Sequence, residues 1–559
     1  MQRRLFFSRQ AVLGCDIVKR FSVCVKMNRT YEDAIKALNT LQSNTAALKE
    51  ICRSGQIRQS DRFEKTKEFA ARAKVPVDKL DKLAAIHISG TKGKGSVCAF
   101  CDSILRENGL KTGFYSSPHL VEVRERIRIN GKLICKDEFA RYFWKCWDNL
   151  KQDESNDMPP YFVFLTIMSF YIFLQEKVDV AIIEVGIGGA FDTTNILRQP
   201  WACGVTSLGH DHVAVLGGTT ESIAWNKAGI FKCGVPAFTV PQDEISTRVL
   251  AQRAKELKAP LKVVPELCSY PGETVTSLGI EGRHQFLNAS LALQLCNTWL
   301  DRYRKETNGN DNCYETPAVT NEDVQCEKLI PSAEPFPINL NMKFALEKTY
   351  WPGRSHCIKR NNYTLYLDGA HTPKSINACS TWFCKRADEE KNNLSPRNVA
   401  RVLIFNCTGE RDSRKLLAPL VSCDFDFAIF CTNSITEESA RKSSDLSDFT
   451  ASLSSRLKRC HENHEAWKRL TGETGSITLH DLDKKLRANA MQNSCVFSSV
   501  LEALHCVLAE REPLLDANPE HSRSPRVLSH ANHIQVVVTG SLHLVGAAMK
   551  VLGPSIVQV

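Results

Sequence analysis

Short apolar runs recur along this chain, each closed by a glycine, a small polar residue or an acid. Ala84–Ser89 is such a run, and a glycine-rich stretch follows it at once. Apolar positions then recur at helical spacing from Ser96 to Glu107, where Asn108-Gly109 marks a helix end. Thr112–Tyr115 opens a further strand. Val178–Val185, which ends in acid, Ala202–Ser207 and Val235–Val240 repeat the pattern. Beyond a polar stretch, strands are predicted at Thr364–Leu367, Val402–Phe405, Phe427–Cys431 and Ile534–Val538, with helices between. Strands alternating with helices predict a mostly parallel sheet covered on both faces. The longest apolar run, Tyr161–Leu174, stops at Gln175-Glu176-Lys177. It is short for a bilayer span and reads as a buried helix, so no transmembrane segment is expected.

Between Arg304 and Pro337, Asn, Asp, Glu, Thr and Pro displace the periodic pattern, as in a linker or surface insertion. Polar inserts are also expected at 387–397, 432–492 and 512–530. With 559 residues and about 100–200 residues per domain, two or more domains are expected. Residues 1–26 hold Arg3, Arg4, Arg9, Lys19, Arg20 and Lys26 against the single acid Asp16. That is the composition of a mitochondrial presequence. Met27 follows, so a second start there would give a cytosolic form. The boundaries drawn are 1–26 for the presequence, 27–303 for an N-terminal domain, 304–337 for a linker or insertion, and 338–559 for a C-terminal domain.

The formal net charge of +10 suits small anions such as phosphates and carboxylates. No basic run interleaved with aromatics appears, so no nucleic-acid partner is expected. The 22 cysteines are scattered without a disulfide framework. Cys98-x-x-Cys101 falls inside a predicted helix with no second pair, and reads as core packing.

Strand, glycine loop and helix together form a phosphate site, because backbone N–H groups and the helix N-terminus face the anion. Gly90-Thr91-Lys92-Gly93-Lys94-Gly95-Ser96 occupies that position, with Lys94 placed to reach the β- and γ-phosphates of ATP. The strict P-loop pattern fails twice: Ile88 stands where its first glycine belongs, and Gly95 where Ser or Thr should follow the lysine. Glu184, at the end of a parallel strand, suits either a magnesium ligand or a partner for a nearby lysine. His210-Asp211-His212 has two histidines on a loop but no third zinc ligand nearby. Lys227 alone reads as a surface charge. Asp368 ends a strand and suits a ribose hydroxyl, and Arg354 suits phosphate oxygens.

Together these segments resemble the Mur ligase superfamily and, within it, the folylpolyglutamate synthases. The resemblance runs from about Tyr31 to the C-terminus. It rests on Gly90–Ser96, on Phe114–Leu120 with Arg124–Gly131, and on Glu184–Asn195, Trp225–Lys232, Gly282–Asn288, Trp351–Arg354 and Asp368–Pro373. It implies an α/β protein of two domains: an N-terminal P-loop-type ATPase domain with a mostly parallel sheet, and a smaller Rossmann-like C-terminal domain. It implies Mg2+ held by Ser117, Glu184 and His212, and a monovalent cation as a further candidate. ATP contacts are implied for Arg354 and Asp368, with Gln285 and Asn288 near the nucleotide. Lys227 matches a lysine that is carbamylated in some members, His371 a residue near the transferred phosphate, and Ser541 a residue holding the incoming glutamate. The implied partners are ATP, L-glutamate and reduced folates, acting on a monomer. The implied reaction joins glutamate to a folate carboxylate through an acyl phosphate, with dihydrofolate synthase, a bifunctional enzyme or a non-catalytic nucleotide binder as alternatives. The resemblance departs at Leu216-Gly217-Gly218-Thr219, where Leu-Gly-Asp-Thr is expected, and at His210.

Overall fold

The computed structural model describes residues 29–42, 59–152, 157–211, 213–307, 329–393, 398–409, 411–436, 452–472, 493–509, 511–512 and 525–553. The expected presequence, Met27, His212 and most of the expected linker lie outside the described residues.

Two sheets organise the chain. The first contains β1 (Ile86–Ser89), β2 (Thr112–Tyr115), β3 (Ile127–Ile129), β4 (Lys132–Leu133), β5 (Val180–Glu184), β6 (Ala202–Val205), β7 (Ala237–Thr239) and β8 (Leu261–Val263). Their order is β4-β3-β2-β5-β1-β6-β7-β8. The pairings from β2 to β8 are parallel, whereas β3 and β4 are antiparallel additions at one edge. Period-two alternation sends β5 side chains to opposite faces: Val180 and Ile182 enter one core, Ala181 and Ile183 the other. The helices Lys94–Glu107 and Arg283–Thr307 cover the first face; Lys136–Lys151 and Tyr161–Glu176 cover the second.

The second sheet contains β9 (His356–Lys359), β10 (Tyr363–Leu367), β11 (Val399–Phe405), β12 (Phe427–Cys431), β13 (Ser494–Phe497) and β14 (His533–Thr539), in the order β13-β12-β11-β14-β10-β9. Only the β9–β10 pairing is antiparallel. Ile534, Val536 and Val538 of β14 pack under the helices Val500–Leu508 and Leu542–Leu552, and Val537 packs on the opposite side.

Three features go beyond the expected pattern. The stretch 432–492, expected as a polar insert, contains the helix Leu453–Thr471. Ile127–Ile129 and Lys132–Leu133 form a short hairpin that the apolar pattern does not declare, with Asn130 (φ 51°) and Gly131 (φ 77°) turning between β3 and β4. The helix Leu340–Lys348, placed beyond the boundary at 338, puts Met342, Ala345 and Leu346 into the core of the first sheet. Tyr161–Glu176 is a buried helix, as expected, and no described helix is long and apolar enough to cross a membrane. Cys98 and Cys101 are fully buried.

Candidate functional site

β5 and β6 flank β1 in the first sheet, so the loops leaving the carboxyl ends of all three converge. The loop after β1 is the glycine loop. Gly90 (φ 141°) and Gly93 (φ 95°) lie where L side chains are strained. Space excludes side chains as well. A Cβ on Gly90 would meet Thr206 Oγ1 at 1.8 Å, and one on Gly93 would meet Asn288 Oδ1 at 2.6 Å. The Thr91 and Lys92 amides both donate to the Ser207 carbonyl, at 3.0 and 3.1 Å, which ties the loop to the segment after β6. Lys94 begins the helix, so its ammonium and the free amides of the first turn share one concavity.

Gln285 and Asn288 lie behind this loop and are buried. Asn288 Nδ2 donates to Gln285 Oε1 at 2.8 Å, and Gln285 Nε2 donates to Ser96 Oγ at 3.3 Å. They brace the loop from the side of the helix Arg283–Thr307.

Glu184 closes β5. It is buried, it accepts from the Ser117 amide at 3.1 Å, and its carboxylate is 4.0 Å from Lys94 Nζ. Burial raises its pKa, with Lys94 opposing. Lys227 is 3 % exposed and donates to the Gly90 carbonyl at 2.8 Å. Burial first, and the Lys94 charge second, lower its pKa to about 7. It is therefore no surface charge but part of the loop's underside.

The second sheet faces this loop. Lys92 Nζ donates to Asp211 Oδ2 at 2.8 Å and to His371 Nε2 at 2.8 Å. His371 Nδ1 lies 2.7 Å from the Gly369 carbonyl, which can only accept. The proton therefore sits on Nδ1, and Nε2 presents its lone pair to the glycine loop. Burial lowers the His371 pKa and favours this neutral form. Asp368 Oδ2 accepts from the Ser355 amide at 2.7 Å, and Oδ1 from the Ala370 amide at 2.9 Å. Burial lowers the Arg354 pKa, with Asp368 and Glu184 opposing. Ser541 is buried at the head of the helix Leu542–Leu552.

A cleft between the two sheets is lined by Gly95, Ser117, Arg128, Glu184, Trp351 and Arg354, among others. Ser117, Glu184 and Arg354 thus line the cleft, Lys94 stands 4.0 Å from Glu184, Lys227 lies beneath the loop and His371 meets it through Lys92, while His212 lies outside the described residues. Among the described residues no group of three or more His, Cys, Asp or Glu side chains could hold a metal ion. A buried carboxylate with an adjacent serine does match the oxygen ligands of a hard cation. Sequence reasoning missed Asp211 as the partner of Lys92, although an acid just past a parallel strand is a recognisable signal. It also passed over Arg128.

Comparison with known proteins decides the family. The chain is 43% identical over 554 residues to the mitochondrial folylpolyglutamate synthase of Cricetulus griseus, covering 94% of this chain and 92% of that protein. The chain belongs to the folylpolyglutamate synthase family. The human mitochondrial folylpolyglutamate synthase is also 43% identical, again covering 94% and 92%. A putative folylpolyglutamate synthase of Caenorhabditis elegans is 37% identical over 524 residues, covering 94% and 92%. The fold agrees with that of solved members. The Mycobacterium tuberculosis folylpolyglutamate synthase complexed with ADP superposes with a TM-score of 0.62 at 20% identity, covering 93% of this chain and 99% of that one. The E. coli FolC in complex with DHPP and ADP gives 0.58 at 21%, covering 92% and 98%. No protein-family profile matches the chain.

Proposed function

We propose that the chain is an ATP-dependent ligase that adds L-glutamate to the terminal carboxylate of reduced folates and their glutamylated forms. The observation that carries this reading is a phosphate loop opening onto a cleft shared by two α/β sheets, in a chain related to folylpolyglutamate synthases over nearly its whole length.

A carboxylate does not condense with an amine unaided, because hydroxide leaves poorly. Transfer of the ATP γ-phosphoryl group to the folate carboxylate gives an acyl phosphate. The glutamate amine then attacks the acyl carbon, and phosphate leaves. In this reading the glycine-loop amides and Lys94 hold the phosphates and offset the charge that builds up during transfer. Arg354 approaches the same phosphates from the opposite wall of the cleft. Asp368 is a candidate for the ribose, and Gln285 and Asn288 support the loop that holds the nucleotide. His371, neutral and with Nε2 toward the loop, is suited to accept a hydrogen bond near the transferred group. Ser541 is a candidate contact for the incoming glutamate. Ser117 and Glu184, with His212, would hold Mg2+, which when bound neutralises phosphate charge. Lys227, with its lowered pKa, is the candidate for carbamylation. The five adjacent parallel strands β13, β12, β11, β14 and β10 support a Rossmann-like reading of the second sheet. The mammalian relatives are named as mitochondrial, which supports a mitochondrial form from the basic leader and a cytosolic one from Met27.

The test is mass analysis of products made from ATP, Mg2+ and labelled glutamate with either tetrahydrofolate or dihydropteroate. Glutamylated tetrahydrofolate is expected. Product from dihydropteroate alone would overturn the assignment.

A further inference from the structure

Arg124, Arg126 and Arg128 alternate along one segment, yet only two of them are satisfied. Arg124 donates through Nε to Glu122 at 2.9 Å and through Nη1 to the Ile134 carbonyl at 2.6 Å. Arg126 Nε donates to His119 Nδ1 at 2.9 Å. Arg128 sits on β3, in register with Phe114 of β2 and Leu133 of β4. Its guanidinium stacks 5.0 Å from the Trp351 ring centroid and 6.0 Å from that of Phe114. Its buried Nε has no hydrogen-bond partner, and among the described residues the Arg128 side chain makes no hydrogen bond or ion pair.

The nearby carboxylates do not answer for it. Glu125 accepts from the Leu120, Val121 and Glu122 amides at 2.7, 2.8 and 2.8 Å. Asp102 is taken by Arg106 Nε at 2.8 Å and by the Thr112 hydroxyl at 2.6 Å. Both are already engaged. A guanidinium held against two rings in a cleft, with donors left over, lacks its anion. Ring faces replace only part of what water gave it. The cleft that Arg128 lines also contains Ser117, Glu184 and Arg354, so the missing anion belongs to a substrate.

The phosphates have their own donors in the glycine loop and Lys94. A glutamyl terminus carries two carboxylates; one is activated and the other stays free. A planar fork of N–H donors is the match for that second carboxylate. We infer that Arg128 is a specificity-determining residue that clamps the free carboxylate of the acceptor's terminal glutamyl group, with Trp351 fixing the plane of the fork. This rests on the ligase reading above.

The experiment uses the full chain and the variant Arg128→Met, whose stem keeps the contact with Trp351. Initial rates are measured against acceptor, glutamate and ATP. The KM for acceptor is expected to rise about 10- to 100-fold, the worth of one charge-assisted hydrogen-bonded contact, with the KM for ATP unchanged and a smaller effect on kcat. Arg128→Lys restores part of the loss. An acceptor whose free carboxylate is an amide supplies the complementary arm. The unaltered enzyme discriminates against it by a similar factor, and Arg128→Met does not. A rise in the KM for glutamate with the KM for acceptor unchanged would overturn the inference, since the carboxylate held would then be that of the incoming glutamate. The inference is also overturned if neither KM moves, or if the variant still discriminates against the amide. Should Arg128→Met fail to fold, Arg128→Gln carries the same comparison. Absence of any folate-dependent product from the unaltered enzyme would sink the ligase reading itself, independently of Arg128.

Discussion

Two lysines beneath and beside the glycine loop behave differently because of what surrounds them. Lys94 faces Glu184 at 4.0 Å across the mouth of the loop. Replacing it with alanine removes charge from the transferring group and leaves the helix intact, since alanine is the best helix former. Turnover of Lys94→Ala is expected to fall by about 100-fold or more, with an unchanged circular dichroism spectrum; steady-state kinetics at saturating ATP check this. Lys227 is buried, with its pKa lowered to about 7. Below pH 7 it is charged in both folded and unfolded chains, so the full cost of burying the charge applies. Between about 7 and its ordinary value near 10.5 only the unfolded chain holds the proton, and stability rises with pH. Lys227→Met should therefore flatten the rise in stability between pH 7 and pH 9 in urea titrations. At this scale the positions of Lys94, Glu184 and Asp368 were legible, because each starts a helix or ends or follows a strand. The pairing of Lys92 with Asp211 and His371 was not, because it joins positions more than a hundred residues apart.

Elements were legible where burial on both faces makes them continuously apolar. β5, apolar up to its terminal Glu184, and β12 are of that kind. The helix Leu453–Thr471 was hidden because most of its surface is polar, and Cys460, His464 and Trp467 make only a narrow buried stripe. β3 and β4 escaped because they span too few residues for a period to declare itself, although Asn130-Gly131 is a hairpin signal. The glycine loop is the element most exposed to test. Gly93→Ala puts an L residue at φ 95° with its Cβ 2.6 Å from Asn288 Oδ1. A loss of about 1–3 kcal/mol in denaturant unfolding is expected. Nucleotide affinity should fall as well, since Asn288 must give way and carries Gln285 with it; calorimetric titration with ADP measures that.

For the whole molecule, the two sheets meet at several points besides the cleft. Glu281, just before the Gly282–Asn288 segment, accepts from Trp382 Nε1 at 2.7 Å and from Arg386 Nη2 at 2.5 Å. Glu281→Ala cuts this link without touching the glycine loop. The expected outcome is a lower kcat for ligation with nucleotide affinity held within about twofold, because the loop is intact while the walls of the cleft are less well aligned. Equal losses in both quantities would show that the link acts only on the nucleotide side.

Leu120 and Val121 belong by sequence to the first sheet, between Ser117 and Glu125, yet their side chains lie in the core of the second. The backbone follows them so closely that a Cβ on Gly546 would stand 1.9 Å from the Leu120 carbonyl. The molecule is therefore not modular in the way its two sheets suggest. A C-terminal half expressed alone, or transplanted onto a homologue, would leave an open socket where this loop plugs in. The loop from Ser116 to Glu125 would have to travel with it for the chimera to hold together.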